Sequence, residues 1–112
     1  VTNPQKQKGS LWERQVAQYF RERGFAKVQR RYGAGAQADR GDLEGINDVV
    51  IECKDHKKLT LSVFADETEA EKINAKADLG ICVIKRARKG VEKAYVLLSL
   101  EDIATLLAEA GR

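Results

Sequence analysis

The chain has 112 residues, 43% hydrophobic and 33% charged, with 20 Lys and Arg against 17 Asp and Glu for a net charge of +3. That length supports one core and not two, and the composition excludes a disordered chain. No apolar run approaches the roughly 20 residues of a bilayer-spanning helix and no signal-peptide pattern is present, so a cytoplasmic protein is expected.

Cys53 and Cys82 both sit in apolar, strand-like runs and read as buried free thiols. With one histidine and no paired Cys/His spacing, a structural zinc site is all but excluded. The charge is unevenly spread. Lys6, Lys8, Arg14, Arg21, Arg23, Lys27, Arg30, Arg31 and Arg40 load the first third, Lys85, Arg86, Arg88 and Lys89 form a second group, and acids concentrate between Asp42 and Glu71. Basic flanks around an acidic centre suit a polyanion met by metal at one point and by cations elsewhere; solvated faces are the plainer alternative.

Residues 1–9 are polar and read as a flexible basic arm, a frayed terminus whose Lys6 and Lys8 can also reach a phosphate backbone. Residues 10–112 then form a single domain. Ser10 to Arg23 is predicted as the first helix, with Ser10 and Glu13 in capping-box spacing and Gly24 as the terminator. Its apolar stripe is Trp12, Val16, Tyr19 and Phe20. Glu13 falls inside that stripe, where a carboxylate costs free energy unless it is paired or holds metal. Capping explains its spacing and ligation its angle.

Phe25 to Tyr32 reads as the first strand, followed by a small-residue loop over residues 33–38, either plainly flexible or ordered by nucleic acid. Arg40 to Lys54 then reads as two strands joined at Gly45–Asp48. Alternation puts Glu52 and Lys54 on one face and Ile51 and Cys53 on the other, and pairing of the strands lets Asp42 lie beside Glu52. Two carboxylates suit a hard divalent cation, and a lysine beside them can hold or activate water. A cross-strand ion pair from Glu52-Cys53-Lys54 to Asp42 or Glu44 is the structural alternative. His56 reads as a surface residue.

Leu61 to Asp78 is predicted as mostly helical, with Phe64, Thr68, Glu71/Lys72 and Ala75 on one face and its acidic run read as solvated. Gly80 is the expected stop. Ile81–Ile84 and Ala94–Leu98 are expected to pair as a hairpin around the basic turn, and Ser99 to cap a last helix over Leu100–Ala110, striped by Leu100, Ile103, Leu106, Leu107 and Ala110. The order helix, three strands, helix, two strands, helix predicts an α/β (α+β) sandwich with a right-handed crossover after Lys54.

Glu13, Gly41-Asp42 and Glu52-x-Lys54 together resemble the PD-(D/E)xK nuclease superfamily. Lys8-Gly9, Glu13-Arg14, Arg23-Gly24-Phe25, Arg30-Arg31 and Asp39-Arg40-Gly41-Asp42 occur in an order similar to archaeal-type Holliday junction resolvases and, closer still, to short resolvase-like nucleases of bacteriophages and actinobacteria. The resemblance implies a restriction-endonuclease-like αβββαβ core, with a central mixed sheet flanked by helices. It also implies Mg²⁺- (or Mn²⁺-) dependent cleavage of branched DNA by a homodimer, in a bacterial cell or phage-infected host. Asp42 and Glu52 would then be metal ligands, Glu13 a direct or outer ligand, and Lys54 the holder of the attacking water. Arg14, Arg30 and Arg31 would contact the DNA backbone, with Lys6, Lys8 and Arg40 as further DNA contacts. Gly41 stands where the superfamily name has Pro, a change expected to alter only backbone stiffness, and the 33–38 loop lacks a serine that resolvases often carry. A nuclease acting on flaps, nicks or ends, or a non-catalytic branched-DNA-binding module, are the competing functions.

Overall fold

The computed structural model of the chain describes residues 3–32 and 39–112. Its first helix, α1, spans Pro4–Glu22. Asn3 caps it, its Oδ1 accepting from the amides of Gln5 (3.0 Å) and Lys6 (3.4 Å), while Pro4 sits at the first position, where a missing N–H costs nothing. The expected start at Ser10 and the expected arm are corrected accordingly: residues 4–9 are helical, and Val1 and Thr2 lie outside the described residues. The polar stretch before Ser10 hides this extension because that part of the helix is exposed and needs no apolar stripe.

Trp12, Val16 and Ala17 bury one face of α1 against Val28, Leu43, Ile51 and Val83, and Trp12 Nε1 donates to the Val83 carbonyl at 3.1 Å. Gly24 follows at φ 103°, and the chain turns back so that the Phe25 ring meets Phe20 edge-on at 5.9 Å. That turn consumes most of the segment expected as a strand. Only Gln29–Arg30 (β1) is extended, paired antiparallel with Leu43–Glu44 (β2).

The β2 strand turns through Gly45–Asp48 into Val49–Lys54 (β3), with Leu43 opposite Ile51. Helix α2, Leu61–Ala75, carries the chain across to Leu79–Ile84 (β4), which pairs parallel with β3 from Val49↔Leu79 to Lys54↔Ile84. Lys76, in the left-handed region at φ 54°, ends α2; Gly80, the expected stop, is instead a buried residue of β4 beneath Thr68. Tyr95–Leu97 (β5) returns antiparallel beside β4, as the hairpin reading expects.

The sheet order β1-β2-β3-β4-β5 is mixed, with α1 on one face and α2 on the other. This is the α+β, restriction-endonuclease-like layering expected. Helix α3, Leu100–Glu109, is capped by Ser99 Oγ, which accepts from the Asp102 amide at 3.0 Å. Its inward contact differs from the expected leucine stripe: Leu100 and Leu107 are exposed and Asp102 is buried. Asp102 accepts from the Gly80 amide and from Lys72 Nζ, both at 3.0 Å, and so fastens α3 to β4 and α2. No helix among the described residues is long and apolar enough to cross a membrane.

Candidate active site

Strand alternation sets the site's orientation. Ile51 and Cys53 face α1, while Glu52 and Lys54, in register with Cys82 and Ile84, face α2. Asp42 stands one residue before the Leu43–Ile51 pair and therefore on the Glu52 side. Its Oδ2 accepts the Cys53 amide at 2.8 Å and its own amide donates to the Ile51 carbonyl at 2.9 Å, which fixes the carboxylate against β3.

The structure brings Asp42, Glu52 and Lys54 together. Lys54 Nζ lies 3.4 Å from Glu52 Oε2 and 2.6 Å from Glu67 Oε2, and 5.4 Å over the Phe64 ring. Burial alone would lower its pKa, but the hydrogen bond it donates to Glu67 and the charge of Glu52 outweigh that and raise it. The ammonium is therefore held charged.

Glu52 is 5% exposed. Burial pushes its carboxyl far above the usual range, hydrogen bonding with the Asp42 carboxyl and the charges of Asp42 and Glu71 push it further, and Lys54 only partly opposes them. Glu52 Oε1 has no donor within reach. Helix α2 adds an acid that the expected solvated face misassigns: Glu71, on the buried stripe with Phe64 and Thr68, is 3% exposed and its Oε1 also lacks a donor. Burial raises its pKa, as do the charge and hydrogen bonding of Asp39, while interaction with Glu52 lowers it. The i, i+4, i+7 spacing of Phe64, Thr68 and Glu71 carries the signal for this residue. Asp39 is tied in from the other side: its Oδ1 accepts the Gly41 amide (2.9 Å) and its carbonyl accepts from Asn74 on α2 (2.8 Å).

Glu13 is placed differently. It is half-buried and accepts from Arg30 Nε at 3.0 Å, while Arg30 Nη2 donates to Ser10 Oγ at 3.1 Å. Glu13 thus pairs with Arg30 across to β1, and the capping box with Ser10 does not form. Burial raises its pKa, Arg30 lowers it, and the Asp42 charge raises it again.

Among the described residues, no three His, Cys, Asp or Glu side chains converge as a ready-made metal cage. The donor set nonetheless fits a hard cation. Buried carboxylate oxygens on Glu52 and Glu71 lack donors, and both groups are crowded by like charge that a divalent ion would relieve.

Gly41 has φ 99°, and a Cβ there would stand 3.0 Å from both the Ile51 carbonyl oxygen and Val50 Cγ1. Proline is locked near φ −65°. Glycine therefore changes the path of the chain into Asp42, not merely its stiffness.

The cations expected to meet DNA divide into two groups. Lys8 pairs with Asp55 (3.3 Å), Arg30 with Glu13, and Arg31 with Glu44 (3.7 Å). Lys6 and Arg14 are exposed, and Arg40 is half-buried. The 33–38 loop lies outside the described residues. His56 is exposed with its ring edge-on to Phe64, and both cysteines are free thiols whose pKa values burial raises.

The family model for archaeal Holliday junction resolvase (Hjc) matches residues 4–105. The chain belongs to that family. Comparison with curated proteins and with solved structures gave no match. Membership in the resolvase family, within the PD-(D/E)xK superfamily, makes the chain a nuclease of the Holliday junction resolvase kind. It also gives the Asp42, Glu52 and Lys54 constellation a chemical context.

Proposed function

We propose that this chain is a divalent-metal-dependent endonuclease that selects four-way DNA junctions by shape and acts as a homodimer of single nuclease domains. The observation that carries the reading is the Lys54 ammonium held 3.4 Å from a buried Glu52 carboxylate beside Asp42, with Glu52 Oε1 free to coordinate. Asp42 and Glu52 would hold Mg²⁺ or Mn²⁺, with Glu13 completing the site on the α1 side. The bound ion would neutralise the scissile phosphate and lower the pKa of a coordinated water. Lys54 orients the incoming water and offsets charge on the phosphate as it becomes pentavalent. Arginines such as Arg14, Arg30 and Arg31, with Lys6, Lys8 and Arg40, contact phosphates without reading bases, so that shape selects the substrate.

The test is cleavage of a labelled synthetic four-way junction beside linear duplex, flap and single strand, in Mg²⁺, Mn²⁺ or EDTA, with Asp42→Ala as control. Paired symmetric cuts confined to the junction and lost in EDTA or in the variant are expected. Cutting of flaps or duplex instead would keep the metal site and move the substrate. Tight junction binding without cutting would make the chain a binding module, and persistent cutting by Asp42→Ala would overturn the site assignment.

A further inference from the structure

A groove of about 560 Å³ runs between α1 and the turn that joins β4 to β5. Trp12, Arg14 and Tyr19 line one wall, and Lys85, Arg88 and Lys89 the other. Glu22 also borders it and accepts from Gln18 Nε2 at 2.9 Å. Lys8, Arg30, Arg31, Lys54 and Lys72 each make an ion pair with a carboxylate. Among the described residues, none of Arg14, Lys85, Arg88 or Lys89 has a carboxylate within ion-pair distance. Lys85 rests 5.8 Å over the Trp12 ring instead. Arg88 occupies the left-handed region at φ 62°, a conformation glycine adopts more easily. Four cations against one lining carboxylate, Glu22, leave the concavity with an excess of positive charge, which suits a polyanion.

The groove's position narrows the ligand. Lys54 points towards α2, yet its carbonyl accepts the Lys85 amide at 2.9 Å, so groove and candidate active site lie back to back across the end of β3 and β4. Duplex DNA is stiff over about 150 bp and does not fold from one face of a sheet to the other at low cost. Branched DNA can, because its arms leave a common point in different directions.

We propose that this groove binds the phosphate backbone of a second arm of the branched substrate, while the scissile arm lies at Asp42, Glu52 and Lys54. The inference rests on the nuclease reading above. It makes Arg88 and Lys89 determinants of junction selectivity that stand apart from the chemistry.

The experiment measures binding of the whole chain to a labelled four-way junction and to a linear duplex of one arm's sequence, in EDTA across a NaCl series. The variant combines Arg88→Gln with Lys89→Gln. Each phosphate contact contributes about 0.9 to the slope of log K against log salt. The junction slope should therefore become shallower by about 1.8, the duplex slope should stay unchanged, and the rate of junction cleavage at saturating DNA should be kept. Restoring charge with Arg88→Lys and Lys89→Arg should restore the slope. An unchanged junction slope, or equal losses on junction and duplex, would overturn the second-arm site while leaving the nuclease reading intact. A wild-type chain that bound neither DNA would overturn both.

Discussion

Glu52 on β3 and Glu71 on α2 press two buried carboxyls towards one another, and each keeps an oxygen that no donor reaches. Replacing Glu71 with Gln removes the cost of ionising a buried acid beside Glu52 while keeping the shape. The metal-free variant should melt higher than wild type at pH 8, by several degrees for each kcal/mol of relieved repulsion. Its affinity for Mn²⁺, read by titration calorimetry, should fall. Equal melting and equal Mn²⁺ affinity would separate Glu71 from the site.

The same pair sets a pH dependence. Glu52 has its folded-state pKa raised, by burial first and by Asp42 second, so the folded chain holds a proton that the unfolded chain has lost. Stability from this group is full below the ordinary carboxylate pKa of 4.5 and is lost as pH rises towards the raised value. Without metal, denaturant midpoints should therefore decline from pH 5 towards pH 8, and Glu52→Gln should flatten the decline. Binding of Mn²⁺ should release protons over this range, visible as a buffer-dependent heat.

Lys54 is locked between Glu52 and Glu67. Lys54→Ala should lower the cleavage rate by about 10²–10³-fold, the scale for removing one group that stabilises developing charge. Glu67 is the more exposed partner, so Glu67→Gln should leave the fold intact and change the rate far less than Lys54→Ala. If Lys54→Ala cut at the wild-type rate, Lys54 would be no more than a strand-end ion pair.

A fold defect should behave differently. Asp102→Ala strands the Gly80 amide and leaves Lys72 with Glu69 as its remaining carboxylate, and should cost about 3 kcal/mol in chemical denaturation. Burial works against the charged form of Asp102, but the Gly80 amide, Lys72 and Ser99 together hold its pKa below 3.8. Its stabilisation should therefore persist to acid pH and vanish only as pH falls through that lowered value. Metal affinity per folded molecule should stay near wild type.

The sequence reading and the structure agree where side-chain period carries the information. Alternation in Val49–Lys54 is enough to put Glu52 and Lys54 on one face, and the distance between them follows. They part where a tertiary partner decides. Glu13 reads as a cap by its spacing and as a ligand by its angle until Arg30 arrives from 17 residues away to pair with it. Glu71 is hidden by the exposed acids just before it, Glu67 and Glu69, because composition averages over a helix while burial does not. The left-handed backbone of Gly41 leaves no trace in hydrophobic pattern, although it rules out proline just before Asp42.

The parallel pairing of β3 with β4 also governs when the site can exist during folding. Asp42 and Glu52 come from neighbouring strands and can meet early, but Glu67 and Glu71 reach them only after the crossover helix closes onto the sheet. Such a closure carries a loop-entropy barrier that a hairpin does not. Lys54 thus gains its Glu67 partner late, when the strand register is already set. A chain still emerging or partly folded then lacks the finished constellation, and nuclease activity arrives together with the native state.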